Sequence, residues 1–175
     1  MEKKISKTVK SISQENRLMS IDPSINNLGM AIWNEDDKKL LTWQYIHPKI
    51  KSRTNEFEKS YSMLLQLKEW GAKYEVNKII CEVPEHWAVA GFEARETGSI
   101  AKLCFVCGLI YSMRLEVDEM ILVKPREWKG QLPKEVVANR LFDEYMEKYE
   151  LDMVKLNPNV MDGIAIGHFK LFGSV

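Results

Sequence analysis

Three apolar runs in this chain each meet a carboxylate at an element end, and the first of them constrains the fold most. Met19-Ser20-Ile21-Asp22 reads as a strand that stops at an acid, turns through Pro23-Ser24 and Asn26-Asn27, and returns as Leu28-Gly29-Met30-Ala31-Ile32-Trp33. Such a hairpin leaves one acidic side chain at the mouth of a sheet, where a metal can reach it. Lys78-Ile79-Ile80-Cys81-Glu82 repeats the idea as a short strand closing on Glu82. Asn157-Pro158-Asn159-Val160-Met161-Asp162 opens a C-terminal helix with a third acid. Three separated acids at element ends predict one site assembled by folding.

The order of elements follows from periodicity. Strands are expected over Arg17–Ile21, Leu28–Trp33 and Leu40–Ile46, and Phe57, Tyr61, Leu64, Leu67, Gly71 and Tyr74 recur at helical spacing over Thr54–Tyr74. After the strand at Lys78–Glu82 comes a long loop, 83–97, holding Glu85, His86, Trp87, Phe92 and Arg95. Ser99–Met113 is apolar nearly all round and is expected to be a central, buried helix. A fifth strand, Met120–Val123, precedes helices over Pro133–Tyr149 and Pro158–Phe172, with Asn157 as a cap. The prediction is an α/β domain over 17–175, a mixed five-stranded sheet in the order βββαβαβαα with helices on its faces, behind a polar tail over 1–16.

At 175 residues, with 45% hydrophobic and 29% charged residues, the chain suits one globular domain. No apolar run reaches the roughly 20 residues of a membrane helix, and Met1-Glu2-Lys3-Lys4 opens no secretory signal. A cytoplasmic protein without a membrane partner is the expectation. Cys104 and Cys107 form a C-x-x-C pair inside the apolar helix, with no second pair to complete a zinc site, so core packing is expected. His47, His86 and His168 form no ligand pair; His168 either borders the site or faces the core. Net charge is zero, yet Lys38, Lys39, Lys49, Lys51 and Arg53, and then Lys124, Arg126, Lys129 and Lys134, gather in basic stretches of the kind that bind phosphates.

These motifs, taken in order, resemble the RNase H-like nucleases, and among them the RuvC-type Holliday junction resolvases, most of all their bacteriophage branch. The resemblance rests on Ile21-Asp22-Pro23-Ser24 with Gly29, on Ile80-Cys81-Glu82, and on Asn159-Val160-Met161-Asp162-Gly163-Ile164-Ala165-Ile166-Gly167. Ser99–Leu103 with Gly108, and Trp128-Lys129-Gly130 through Val137, extend it over about Leu18–Phe172. It implies a metal-dependent, structure-selective endonuclease that resolves four-way junctions and other branched DNA, acting as a homodimer in the cytoplasm (the host's, if phage-encoded). Asp22, Glu82, Asn159 and Asp162 would be the catalytic and metal-binding residues, holding two Mg²⁺ ions, for which Mn²⁺ would substitute. Lys129 and Lys134 match positions that contact the DNA backbone, and Lys124 and Arg126 extend the track. Trp87 or Phe92 would stack on an unpaired base at the branch point, or else plug the core.

The chain departs from the family at Asn159, where cellular members carry Asp or His. An amide offers a carbonyl oxygen but no charge and no base; Glu85 would be the compensating carboxylate. Native variation and inactivating substitution are both open. Each acid also has an ordinary role: Asp22 as a turn residue, Glu82 as an exposed strand end, Asp162 as a favourable charge in a first helical turn. Three alternatives follow: a branched-DNA-binding protein that cuts weakly or not at all, a nuclease for RNA or hybrids, and an actin-like ATPase, for which the chain is about half the length required.

Overall fold

The computed structural model describes residues 15–50, 55–84, 98–130, 132–133, 135–137, 139–141 and 156–173. Strands β1 (Arg17–Pro23), β2 (Leu28–Asn34) and β3 (Lys39–Ile46) come first, followed by helix α1 (Glu56–Lys73) and strand β4 (Lys78–Glu82). Helix α2 (Ser99–Tyr111) runs into a 3₁₀ turn (Ser112–Leu115); β5 (Glu119–Val123), the short helix α3 (Pro125–Trp128) and α4 (Pro158–Phe172) complete the chain. The strands form one sheet in the order β3-β2-β1-β4-β5. β1, β2 and β3 pair antiparallel, while β1–β4 and β4–β5 are parallel. This is the mixed five-stranded RNase H-like sheet expected from the motifs.

β1 sits at the centre and is buried on both faces, because both are covered. Met19 and Ile21 join Met30, Ile32, Ile79 and Cys81 beneath Met63, Leu64 and Leu67 of α1 and Val106 and Ile110 of α2. Leu18 joins Ala31, Trp33, Ile80 and Val123 beneath Val160, Ile164 and Ala165 of α4. Strand alternation therefore sends Ser20 and Asp22 toward α4, together with Glu82, two residues beyond Ile80. Asn55 caps α1 by accepting the Glu58 N–H at 2.9 Å, and Asn157 caps α4 by accepting the Asn159 N–H at 2.9 Å. Gly173, at φ +82°, ends α4 in the left-handed conformation that glycine adopts at least cost.

Two expectations need correction. α2 is not buried all round: Val106, Cys107 and Ile110 face the sheet, whereas Ala101, Lys102, Cys104 and Phe105 are exposed. Its uniform apolarity hides an outer face, and Cys104 lies on that face rather than in the core. The tail over 1–16 lies outside the described residues except for Glu15 and Asn16. The Asn16 backbone N–H and side-chain amide donate to the two Asp36 carboxylate oxygens at 3.2 and 2.8 Å. Of the helix expected over Pro133–Tyr149, residues 135–137 and 139–141 are helical, with Val137 and Leu141 in the core; 142–149 lie outside the described residues.

Candidate active site

β1 and β4 are parallel neighbours with Ile21 opposite Cys81, so Asp22 and Glu82 follow at the same end of adjacent strands, about 4.8 Å apart in main-chain spacing. Both leave the sheet on the α4 side, and Asp22 is only 7% exposed. Cys81 leaves on the opposite face, as alternation predicts. Burial, with the neighbouring Cys107, Asp22 and Glu82 as lesser causes, pushes the Cys81 thiol well above its ordinary range. Burial likewise pushes the Cys107 thiol up to about 12. Both sulfurs donate to the Glu82 carbonyl oxygen, at 3.3 and 3.9 Å. Both sit as packing groups beneath the strand end.

The third acid arrives through main-chain contact. Gly29 pairs with Asp22 across the hairpin, and a Cβ placed on it would lie 1.8 Å from the Asn159 carbonyl oxygen and 2.5 Å from the Val160 nitrogen. The first turn of α4 thus rests directly on β2 beside Asp22. Two further glycines continue the seam. A Cβ on Gly163 would meet the Gly29 oxygen at 3.0 Å, and one on Gly167 would meet Trp33 Nε1 at 2.0 Å. That indole is engaged in turn, donating to Ser20 Oγ at 3.1 Å. The seam carries Asp162, 6% exposed, to the same end of the sheet as Asp22. The Asn159 amide donates to Asn27 Oδ1 in the β1–β2 turn. His168 is core-facing, stacked on Phe172 at 4.5 Å.

Glu82 has its own partners. Trp128 Nε1 donates to Glu82 Oε2 at 2.6 Å, and Lys129 Nζ stands 4.0 Å from that oxygen and 4.7 Å above the Trp128 ring centroid. Lys124 and Arg126 are exposed on α3 and the residue before it. Lys134, Trp87, Phe92 and Glu85 lie outside the described residues. Sequence reasoning missed Asn27 and Trp128 as neighbours of the site. The Asn26-Asn27 pair was legible only as a turn, and Trp128 only as a family-like position.

Three carboxylates and an amide carbonyl form a hard, oxygen-only donor set that suits Mg²⁺ or Mn²⁺ rather than zinc. The donor chemistry and main-chain placement therefore fit a divalent cation. The side chains as they stand do not close around one: among the described residues no three His, Cys, Asp or Glu form a group that could hold a metal ion.

No protein-family model matches the sequence, and no curated protein does. Solved structures do. RuvC of Thermus thermophilus in complex with a Holliday junction substrate is similar at 17% identity and a TM-score of 0.67, over 87% of this chain and 90% of that one. Another Thermus thermophilus RuvC structure gives 17% and 0.65, over 90% and 96%. The yeast mitochondrial Holliday junction resolvase Ydc2 gives 15% and 0.59, over 87% and 76%. At these identities the likeness is one of architecture, and it places this chain in the RNase H-like fold that those resolvases share.

Proposed function

We propose that this protein is a divalent-metal-dependent endonuclease that cuts branched DNA, with the four-way junction as its first substrate. One observation carries the reading. Asp22, Glu82 and the Asn159–Asp162 turn come from three distant parts of the sequence to one end of one sheet face. The fold that holds them is similar to that of a RuvC solved with a Holliday junction substrate.

Asp22 is the natural shared ligand, since β4 and the start of α4 flank it on either side. Glu82 and Asp162 would each add a carboxylate, and Asn159 its amide oxygen. Divalent ions held there would supply an activated water and neutralise charge on the leaving oxygen. Lys124 and Arg126, exposed past the end of β5, would attract the phosphate backbone, as would Lys129, whose Nζ is 4.0 Å from Glu82. For the homodimer expected of such an enzyme, the surface we propose is Phe57, Tyr61 and Leu65 of α1 with Phe105 of α2, all at least 38% exposed. Aromatic side chains left bare on adjacent helices mark an interaction face.

One observation favours a second reading, in which the protein binds junctions without cutting. Asn159 adds no charge to the donor set. A labelled four-way junction, a matched duplex, a fork, and an RNA–DNA hybrid, each incubated with Mg²⁺, Mn²⁺ or EDTA, separate these readings. Paired, metal-dependent nicks in the junction support the resolvase. Tight junction binding without nicks in any metal supports the binding protein, and Asn159→Asp then tests whether a charge restores cutting. Preferential cleavage of the hybrid overturns the DNA assignment.

A further inference from the structure

Glu82 and Val123 are partners across the parallel β4–β5 pair, so the chain leaving β5 starts out beside the carboxylate. It does not leave the sheet. Pro125 opens α3, the Glu127 carboxylate accepts the Lys124 N–H at 2.5 Å, and the single turn brings the Trp128 indole to Glu82 at the end of β4. Trp128 is 3% exposed and packed in the core beneath α4. An indole buried this deeply requires an acceptor for its N–H. The acceptor is a side-chain carboxylate, Glu82 Oε2, at 2.6 Å. The Lys129 ammonium approaches the same oxygen to 4.0 Å. Both contacts converge on Oε2.

We propose that Trp128 is a positioning residue for Glu82. Its indole N–H holds Oε2 and fixes the side-chain rotamer, so that the carboxylate is already oriented when a divalent cation binds. This rests on the metal-site reading above. The physical logic is that a glutamate has three rotatable bonds, and a lone glutamate at a strand end would have to be ordered at the moment of binding. A donor anchored in the core removes that ordering cost in advance and leaves the carboxylate with its charge. A hydrogen bond from a group behind a ligating carboxylate typically contributes about 10- to 100-fold in metal affinity. Lys129, parked over the indole ring, keeps the local charge balanced while no cation is bound.

Calorimetric titration with Mn²⁺ of the parent, Asp22→Asn and Trp128→Phe tests this without any cleavage. The expected result is saturable binding by the parent, loss of binding in Asp22→Asn, and a weakening of about 10- to 100-fold in Trp128→Phe. Parental affinity or tighter binding in Trp128→Phe, with Asp22→Asn defective, overturns the role of Trp128 and leaves the metal site standing. No saturable binding by the parent, or parental binding by Asp22→Asn, overturns the metal site itself. If Trp128→Phe does not fold, the intact protein still decides the matter. With ¹⁵N-labelled indoles, the Trp128 N–H resonance shifts on Mg²⁺ saturation. Failure of that resonance to move across a proven binding isotherm refutes the proposal.

Discussion

A single added methyl at Gly29 tests whether α4 is seated by main-chain contact. In Gly29→Ala the new Cβ would lie 1.8 Å from the Asn159 carbonyl oxygen, 2.1 Å from its carbon and 2.5 Å from the Val160 nitrogen. These are backbone atoms, so no rotamer change relieves the overlap. Reaching an ordinary contact of 3.4 Å requires β2 and the start of α4 to part by about 1.6 Å. Overpacking of that size costs about 3 kcal/mol or more, equivalent to a fall of roughly 6–12 °C in Tm for a domain of this length. Asn159 and Asp162 move with the helix, and a misplacement of about 1 Å can reduce a rate about 100-fold. Urea unfolding reads the first quantity. Junction cleavage at a temperature where the variant is folded reads the second. Gly71→Ala is the control, because its Cβ would meet only the flexible Met19 and Met113 Cε atoms at 3.8 and 4.0 Å. As a helix-interior glycine, it should gain about 0.5–1 kcal/mol on substitution. Parental stability and rate in Gly29→Ala would refute the main-chain seam and the siting of Asp162 beside Asp22.

Asp22→Asn and Glu82→Gln should each lower junction cleavage at least about 100-fold while junction affinity, read by gel shift in EDTA, stays within a few-fold; parental cutting by either removes it from the site. Lys124→Ala combined with Arg126→Ala should weaken binding to all junction sequences alike and lower the slope of log affinity against log salt by about 1 to 2, and an unchanged slope takes them off the DNA path. Phe105→Glu should yield a monomer by sedimentation with little change in Tm, whereas a dimer that persists assigns the interface elsewhere. The Glu35 carboxylate, 2.5 Å from Lys78 Nζ, holds that ammonium above its ordinary 10.5. The pair therefore stabilises the fold at pH values below about 10.5, and the contribution is lost as pH rises through the folded-state value. Glu35→Gln should lower the urea midpoint at pH 7–9 by an amount equivalent to about 0.5–1 kcal/mol, with the gap closing at more alkaline pH; a gap independent of pH would exclude the ion pair as its cause.

Much of the architecture was legible because it rests on local signals. Lys78–Glu82 and Pro158–Phe172 matched their observed bounds, since each lies between turn or capping residues and carries one clear period. Asp22, Glu82, Asn159 and Asp162 were legible as residues at element ends. α2 was misjudged because apolarity without periodicity says nothing about which face is covered; only packing on the sheet separates Val106 and Ile110 from Phe105. Trp128 and Asn27 were missed for a different reason. Their bonds join positions 46 and 132 residues apart, and no spacing rule connects such pairs. The glycines at 29, 163 and 167 are visible in the sequence as glycines, but their shared seam emerges only when α4 crosses β2.

That seam also has a bearing on the order in which the protein is made. Asp22 leaves the ribosome 140 residues before Asp162, and the four strands β2 to β5 are synthesised in the interval. The sheet can gather while α4 is still untranslated, but the groove along Gly29 is open until the helix arrives, and contacts of such long range are made late. A nascent or prematurely ended chain therefore carries Asp22 and Glu82 without their third partner. The centre proposed above would be withheld until α4 docks, leaving the protein silent during its own synthesis.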